Sequence, residues 1–373
     1  MKRLTLFLAV ALIVFAVGAA QAVNIETVPV GNSGNAGELS GASVPGGYGP
    51  DRICGAVNYA YNIGKYEVTA GQYAEFLNAV AKADPYGLYA PNMDALSGGC
   101  QITRNGTSGS YTYDFSGRPS GMESDWANRP VNFVSWGDAA RFCNWLHNGQ
   151  PTGPQGLATT EDGAYYLNGA TSKIDLLTAT RKADAKWWIP SEDEWYKAAY
   201  HVKIGGTRPW YYDYPTGTNA VPSNALSSPS ADPGNNANFY DTSYTIGSPY
   251  YRTPVGAFEN SDSLYGTFDQ GGNVEEWNDA VIYDFYRVAR GGSYGKGQKN
   301  GLLASYRNGV NPTFEGSGIG FRVAGVPEPS SIAILLAGVP SLLAYVWRRR
   351  WSAADFYCVL LSTGITNRSR EPR

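Results

Sequence analysis

The chain has 373 residues, a formal net charge of −3, and 16% charged residues. This balance argues against nucleic-acid binding, which usually needs a clustered basic excess. The 45 glycines and 27 tyrosines favour a loop-rich domain over a helical bundle. A chain of this length can form one large domain or two medium ones.

The first 22 residues have the three parts of a secretory signal. Lys2 and Arg3 supply the positive start, residues 4–19 are apolar, and residues 20–22 (Ala-Gln-Ala) have the pattern of a cleavage site. The alternative is a membrane anchor, but the apolar run is short and ends at a cleavage pattern. The sequence therefore predicts a signal peptide over residues 1–22 and an exported mature protein.

The next part of the chain predicts an irregular lead-in followed by a strand and a helix. Residues 23–56 are rich in Gly, Ser, Asn and Pro, which is typical of irregular structure. Residues 57–68 alternate between apolar and polar side chains and predict a strand, and Thr69 is a good N-cap for the helix after it. A hairpin is predicted at residues 110–115.

Two more helices have local start signals. Ser135 is expected to cap a helix over residues 137–147, and Ser191 with Glu194 forms a predicted capping box. Residues 205–262 have few apolar runs but hold several aromatic residues, so a long ordered loop is expected there. No fixed repeat and no regular strand–helix alternation is present, which favours a single α+β domain.

The four cysteines are few for an exported protein. Cys358 lies in the C-terminal tail, which leaves an odd number of thiols in the mature domain. A disulfide between Cys54 and Cys100 is predicted. Cys143 lies in an amphipathic stretch and is expected to be a buried free thiol.

The C-terminal region has a second apolar segment, over residues 330–347. It follows Pro-Glu-Pro at residues 327–329 and precedes three arginines at residues 348–350. Its length is sufficient for a transmembrane segment with the arginines on the cytoplasmic side. This order resembles a PEP-CTERM sorting signal over residues 327–350, which implies recognition by an exosortase and a transient inner-membrane anchor. A plain anchor is the alternative, and the atypical tail, residues 351–373, departs from the usual signal.

Six short motifs together resemble the formylglycine-generating enzyme, or sulfatase-modifying factor, family. Each motif alone is weak, but all six occur in the family's order. The resemblance covers residues 57–326 and implies a single loop-rich α+β domain with the sulfatase-modifying-factor variant of the C-type-lectin-like fold. The motifs are Tyr-Glu-Val-Thr (66–69), Arg-Pro-Val-Asn (129–132) with Ser-Trp (135–136), Ile-Pro-Ser-Glu-Asp-Glu-Trp (189–195), Gly-Asn-Val-Glu-Glu-Trp (272–277), Arg-Gly-Gly-Ser-Tyr (290–294) and Gly-Ile-Gly-Phe-Arg (318–322).

The resemblance also implies a structural calcium site at Glu276. The turn formed by Gly272, Asn273 and Val274 would present backbone oxygens beside its carboxylate, and calcium prefers such oxygen ligands. The alternative is a structural Glu at a turn. A second family calcium site is partly kept at Asn238 and Phe239, where Asp241 could supply the acidic ligand.

The family's copper chemistry is not expected here. Copper(I) prefers thiolate ligands, but the aligned positions are Lys296 and Gly301. Val323 replaces the cysteine that pairs with the equivalent of Cys143 in the family. Ser293 lacks a nucleophile elbow and an assigned base, so no catalytic residue is predicted.

Other candidate groups carry weaker signals. Asp269 and Glu275 are expected to be solvated turn residues. An aromatic set could stack on sugar rings, although core packing is the more common role of such residues. The set comprises Trp210, Tyr211, Tyr212 and Tyr214.

These features lead to three functional hypotheses. The first is an exported, envelope-sorted, non-catalytic binding module, stabilised by calcium and associated with exopolysaccharide. The second is an oxidase of the same family with a different, unassigned metal or substrate site. The third is a structural envelope protein without a small ligand. The surface near residues 296–301 should discriminate between them, because a deep polar cleft favours an enzyme and a flat aromatic surface favours binding.

Overall fold

The computed structural model describes residues 22–117, 125–226, 233–295 and 299–327. Three helices begin at the predicted N-caps. Thr69, Ser135 and Ser191 each accept a hydrogen bond from the backbone three residues on, and each takes part in a capping box. The helices are α1 (Ala70–Val80), α2 (Trp136–His147), α3 (Lys173–Thr178) and α4 (Glu192–Tyr200).

The strands are short and belong to two four-stranded sheets and two hairpins. They are β1 (Thr27–Val30), β2 (Glu38–Ser40), β3 (Arg52–Cys54), β4 (Tyr61–Gly64), β5 (Thr103–Asn105), β6 (Thr112–Asp114), β7 (Trp187–Trp188), β8 (Glu275–Ile282), β9 (Tyr286–Arg290), β10 (Asn308–Val310), β11 (Ile319–Gly320) and β12 (Ala324–Gly325).

The first sheet joins the two ends of the described domain. Its order is β1-β4-β12-β7, and all of its pairs are antiparallel. Strand β12, near the end of the domain, therefore lies between β4 and β7. Such long-range pairing ties the two ends of this compact unit together, and the unit ends at Val326.

The second sheet positions the candidate site. Its order is β10-β9-β8-β11, with β8 antiparallel to β9 and parallel to β11. The β8–β9 register shifts between Trp277 and Val281, which marks an irregularity in the hairpin. The first four residues of β8 are all buried, so both faces of this strand are covered there.

Aromatic side chains of α1, α2 and the segment after β11 meet in the main core. The Phe142 ring centroid lies 5.3 Å from that of Phe76 and 5.4 Å from that of Phe321, both in edge-on geometry. Trp277 of β8 donates to the carbonyl of Val134 over 2.9 Å. Edge-to-face rings add to the stability that their buried area provides.

The predicted lead-in over residues 23–56 is not wholly irregular. Strand β1 forms an edge of the first sheet against β4, and β2 and β3 form a hairpin. These strands of three or four residues were missed because their pairing partners, not their own sequence, decide their conformation. The predicted hairpin at residues 110–115 is likewise one arm of the β5–β6 pair.

The predicted Cys54–Cys100 disulfide is wrong. Cys54, Cys100 and Cys143 are all free and buried in the structure. Cys54 packs with Trp195 and Tyr196, whereas Cys100 belongs to the main core. The thiols of Cys54 and Cys100 therefore pack in different hydrophobic clusters. Cys143 is the buried free thiol that was expected.

No helix among the described residues is long and apolar enough to cross a membrane. Residues 1–21 of the predicted signal peptide, the predicted span over residues 330–347, and the tail lie outside the described residues.

Candidate functional site

A cleft opens at the second sheet, beside the segments that follow β9 and β10. Its volume is about 460 Å³. We call it the Glu275 cleft. Its lining residues are Glu275, Ser293, Tyr294, Gly295, Asn308, Gly309, Val310, Asn311, Phe314, Gly316, Ser317, Gly318 and Ile319.

Three strands of the second sheet position the polar groups of this cleft. Glu275 begins β8, where its backbone N–H donates to Gly318 over 2.8 Å and its Cα pairs with that of Ile319. Asn308 begins β10, on the other side of β9. Because strands carry Glu275 and Asn308, the mutual geometry of these two groups is fixed by the sheet.

Glu275 is 7% exposed, and both of its carboxylate oxygens accept from Nδ2 of Asn308, over 3.0 and 3.1 Å. Burial raises the pKa of Glu275 to about 7, although the hydrogen bonds from Asn308 lower it. A carboxyl group with this pKa in a cleft is a candidate for ligand contact. The expectation that Glu275 is a solvated turn residue was wrong because β8 is covered on both faces at this point.

The opposite wall combines small residues with aromatic rings. A Cβ on Gly318 would lie 2.8 Å from Oγ of Ser293, so only glycine leaves this hydroxyl uncovered. The Tyr294 ring stacks on Tyr251 with centroids 5.3 Å apart, which holds it in place. The Phe314 side chain is half-exposed at 51% and presents an apolar surface at the cleft.

The predicted metal-binding turn has a tight backbone, but its polar groups form hydrogen bonds with other protein residues. Gly272 has φ +88°, and a Cβ there would lie 2.2 Å from the Asn238 carbonyl oxygen. The backbone N–H of Asn273 donates to that same oxygen over 2.7 Å. Oδ1 of Asn273 accepts from Nδ2 of Asn238 and from the N–H of Thr253. Val274 is fully buried.

Glu276 is fully buried and paired with Arg322. The guanidinium donates to Oε2 over 2.5 Å and to Oε1 over 2.7 Å, and the Trp195 indole donates to Oε2 over 2.7 Å. A guanidinium on both oxygens neutralises the charge that calcium would need. These residues as arranged do not fit the predicted calcium site.

At the second predicted calcium site, most of the candidate ligand oxygens also have partners within the protein. The Phe239 carbonyl accepts from Asn224 and Thr245, and Asp241 forms an ion pair of 2.8 Å with Lys299. Oδ1 of Asn238 is buried without a hydrogen-bond partner. One orphaned amide oxygen is too few for a cation that takes six to eight oxygen ligands.

The aromatic set at residues 210–214 does not form one binding face. Trp210 is about half-exposed and lies 4.9 Å from the Arg208 guanidinium, whereas Tyr214 is buried. The hydroxyl of Tyr211 donates to the Ala36 carbonyl, so this ring packs inward. Of the two residues that the resemblance puts in place of the copper ligands, Gly301 is buried and Lys296 lies outside the described residues.

Across the described ranges, no group of three or more His, Cys, Asp and Glu side chains is arranged to hold a metal ion. The Glu275 cleft was not predicted from the sequence because its lining comes from several short segments between residues 275 and 319 that only the sheet brings together. The sequence did contain one signal for a buried Glu275, because this residue directly follows the Gly-Asn-Val motif. The three residues of that motif are buried in the structure.

Comparison with known proteins gives one domain and one sorting motif. The sulfatase-modifying factor enzyme 1-like domain matches residues 54–326, and the PEP-CTERM protein-sorting motif matches residues 325–350. These matches confirm the suspected resemblances and the predicted α+β fold of the C-type-lectin-like kind. A comparison with curated proteins gives no match.

Three solved structures are similar. Treponema denticola variable protein 1 is 21% identical, with 83% of this chain and 97% of that chain covered and a TM-score of 0.50. CarF is 22% identical, with 82% and 99% covered and a TM-score of 0.49. PvdO from Pseudomonas aeruginosa is 19% identical, with 81% and 95% covered and a TM-score of 0.45. At such identities, similarity shows the fold alone.

Proposed function

We propose that this chain, which belongs to the family of sulfatase-modifying factor enzyme 1-like domains, binds polysaccharide in the Glu275 cleft without catalysing a reaction. Its PEP-CTERM motif makes it a target of exosortase-type sorting machinery, which implies export and sorting to the envelope. Extracellular polysaccharide is the partner that we propose for a protein sorted to that location.

The composition of the cleft is the observation that carries this proposal. A buried carboxylate and two amide side chains, Asn308 and Asn311, lie in the same cleft as the half-exposed ring of Phe314. Carboxylate and amide groups hydrogen-bond to hydroxyls, and an aromatic ring can pack on the apolar face of a sugar. A site of a few fixed polar groups with an apolar surface is typical of small-ligand sites in general, including those of enzymes.

The absence of cysteine from one segment supports a binding role over the family's copper chemistry. Residues 290–322 contain no cysteine. The three thiols among the described residues are buried in other elements, and burial raises the pKa of Cys54, Cys100 and Cys143, which keeps them in the thiol form.

Retention on the host's own exopolysaccharide tests the proposal. Residues 23–326 would be passed over the immobilised polymer, alongside the variants Phe314→Ala and Asn311→Ala. We expect retention of the unchanged domain and at least tenfold weaker retention of both variants, because each removes one recognition element. A Glu75→Gln variant, on the exposed face of α1, serves as the control. Lack of retention of the unchanged domain would rule out the proposal.

One observation favours an enzyme as the second candidate. A carboxyl group whose pKa is about 7 can donate or accept a proton near neutral pH, and Glu275 has this property. The alternative is then an oxidase of this family whose metal or substrate site differs from the cysteine site. Oxidation of a Cys-x-Pro-x-Arg peptide by the purified protein, abolished in Glu275→Gln, would establish it in place of the binding role.

A further inference from the structure

The electrostatic character of the Glu275 cleft restricts the saccharide that it can accept. Glu275 is the only Asp, Glu, Lys, Arg or His among the described residues that line the cleft. No described cation of the lining offsets this carboxylate.

Glu275 also has unused capacity to accept hydrogen bonds. An ionised carboxylate offers about four lone-pair positions. The contacts with Asn308 account for two of them, and both come from the same Nδ2 atom. The remaining positions can accept only from donors, which a saccharide supplies as hydroxyl or ammonium groups.

We infer that the Glu275 cleft selects saccharides without acidic groups and excludes uronate-containing ones. This inference rests on the proposed function and names its ligand class. A hydroxyl placed against Glu275 gains a charge-assisted hydrogen bond. A uronate carboxylate in the same position gains no hydrogen bond and is repelled by a like charge in a partly desolvated cleft.

Among the described residues, the two arginines next to these strands add no compensating cation to this position. Arg290, the Cα partner of Glu276 across the β8–β9 pair, donates to Glu192 and to the carbonyls of Ala304 and Tyr306. Arg307, next to Asn308, is committed to Glu192 as well. Both guanidinium groups are buried in the Glu192 network and are not available to a uronate in the cleft.

A glycan panel with matched neutral and uronate-containing oligosaccharides tests this selection. Binding of residues 23–326 would be measured at pH 8, above the pKa of Glu275, and at low salt, where like-charge repulsion is least screened. We expect neutral members to bind at least tenfold more tightly than uronate members of the same length. Raising the salt concentration should lower this ratio of affinities, because salt screens the repulsion between like charges.

The variants separate a charge effect from a loss of folding. Glu275→Gln keeps an oxygen that can accept from Asn308 and removes the negative charge, so we expect the ratio to fall below about threefold. Phe314→Ala should weaken binding of neutral members and leave the ratio unchanged. Glu75→Gln removes an equal charge from the exposed face of α1 and should change neither quantity. Thermal unfolding confirms that each variant is folded.

Three outcomes distinguish the inference from the function on which it rests. Equal binding of neutral and uronate members would overturn the selection and leave polysaccharide binding intact. A preference for uronates would overturn it in the same way. Binding of no panel member and no retention on the host polymer would overturn the proposed function together with the inference.

Discussion

At the scale of single residues, two buried glutamates of this domain have very different surroundings. Glu192 is buried and ion-paired with Arg290 and Arg307 over 2.7 Å each. Burial alone would raise the pKa of Glu192, but the two guanidinium groups lower it to about 2. Glu67, in contrast, is buried with no hydrogen-bond partner for either carboxylate oxygen. Its charge therefore has a cost that nothing in direct contact offsets.

We predict that Glu67→Gln stabilises the domain at pH 8 by about 1–3 kcal/mol. Burial, followed by the nearby charges of Asp269 and Glu276, raises the pKa of Glu67 well above its usual value. The protonated form is therefore favoured in the folded state, and its contribution to stability is lost as pH rises above the unfolded pKa. Urea unfolding at pH 5 and pH 8 measures the effect.

A smaller difference between the two pH values is expected in Glu67→Gln than in the unchanged domain. Destabilisation by the variant at pH 8 would contradict this account, since it would mean that the ionised carboxylate has a partner that stabilises it.

A second residue-scale prediction concerns the ion pair of Glu276 and Arg322. Glu276→Gln leaves a buried guanidinium without its counter-ion, which typically costs about 3–5 kcal/mol. We expect the loss to be the same with excess calcium and with a chelator, because Arg322 occupies both carboxylate oxygens. Thermal unfolding of both proteins under both conditions is the measurement. Calcium-dependent stabilisation that disappears in the variant would instead support the calcium site predicted from the sequence.

At the scale of secondary-structure elements, features that depend on residues close in sequence could be predicted. Features that depend on residues far away in the sequence could not. The caps Thr69, Ser135 and Ser191 lie within three residues of the groups that they bind, so the sequence was sufficient to place α1, α2 and α4. Strand β1 depends on β4, which lies more than 30 residues away, and was missed. The burial of Glu275 depends on β11 beside β8 and was missed for the same reason.

The turn that leads into β8 provides an element-scale prediction. Gly272 and Gly87 both have positive φ, at +88° and +70°. A Cβ on Gly272 would collide with the Asn238 carbonyl, whereas nothing lies within 4 Å of a Cβ on Gly87. We expect Gly87→Ala to cost about 1 kcal/mol from backbone strain alone.

Gly272→Ala should cost at least about 2 kcal/mol more than Gly87→Ala, since the turn and the start of β8 must shift. Urea unfolding of the two variants provides the comparison. Equal losses would show that the turn before β8 is not tightly constrained.

At the scale of the whole molecule, acidic groups with raised pKa values outnumber those with lowered values, which among the described residues are Asp51, Asp114 and Glu192. Burial raises the pKa of Asp138 and Asp269 to about 6 and the pKa of Glu275 and Asp279 to about 7. Each of these groups contributes stability that is present below the unfolded pKa, about 4, and is lost as pH rises through the folded value. The domain as a whole should therefore be most stable in mildly acidic solution.

We predict that the free energy of unfolding falls by several kcal/mol between pH 5 and pH 8. Urea unfolding across this range is the measurement, and Glu275→Gln should reduce the slope between pH 5 and pH 7. A free energy of unfolding that is constant or rises with pH would contradict the prediction.

Whether polysaccharide contacts the Glu275 cleft is the central question, and side-chain amide resonances of the labelled domain answer it most directly. On titration with fragments of the host exopolysaccharide, the account predicts saturable shifts of the Asn308 and Asn311 amides, which line the cleft. The amide of Asn78, which lines a different cavity, should not shift. Shifts elsewhere with no change at Asn308 and Asn311, or no shifts at any residue, would contradict the account.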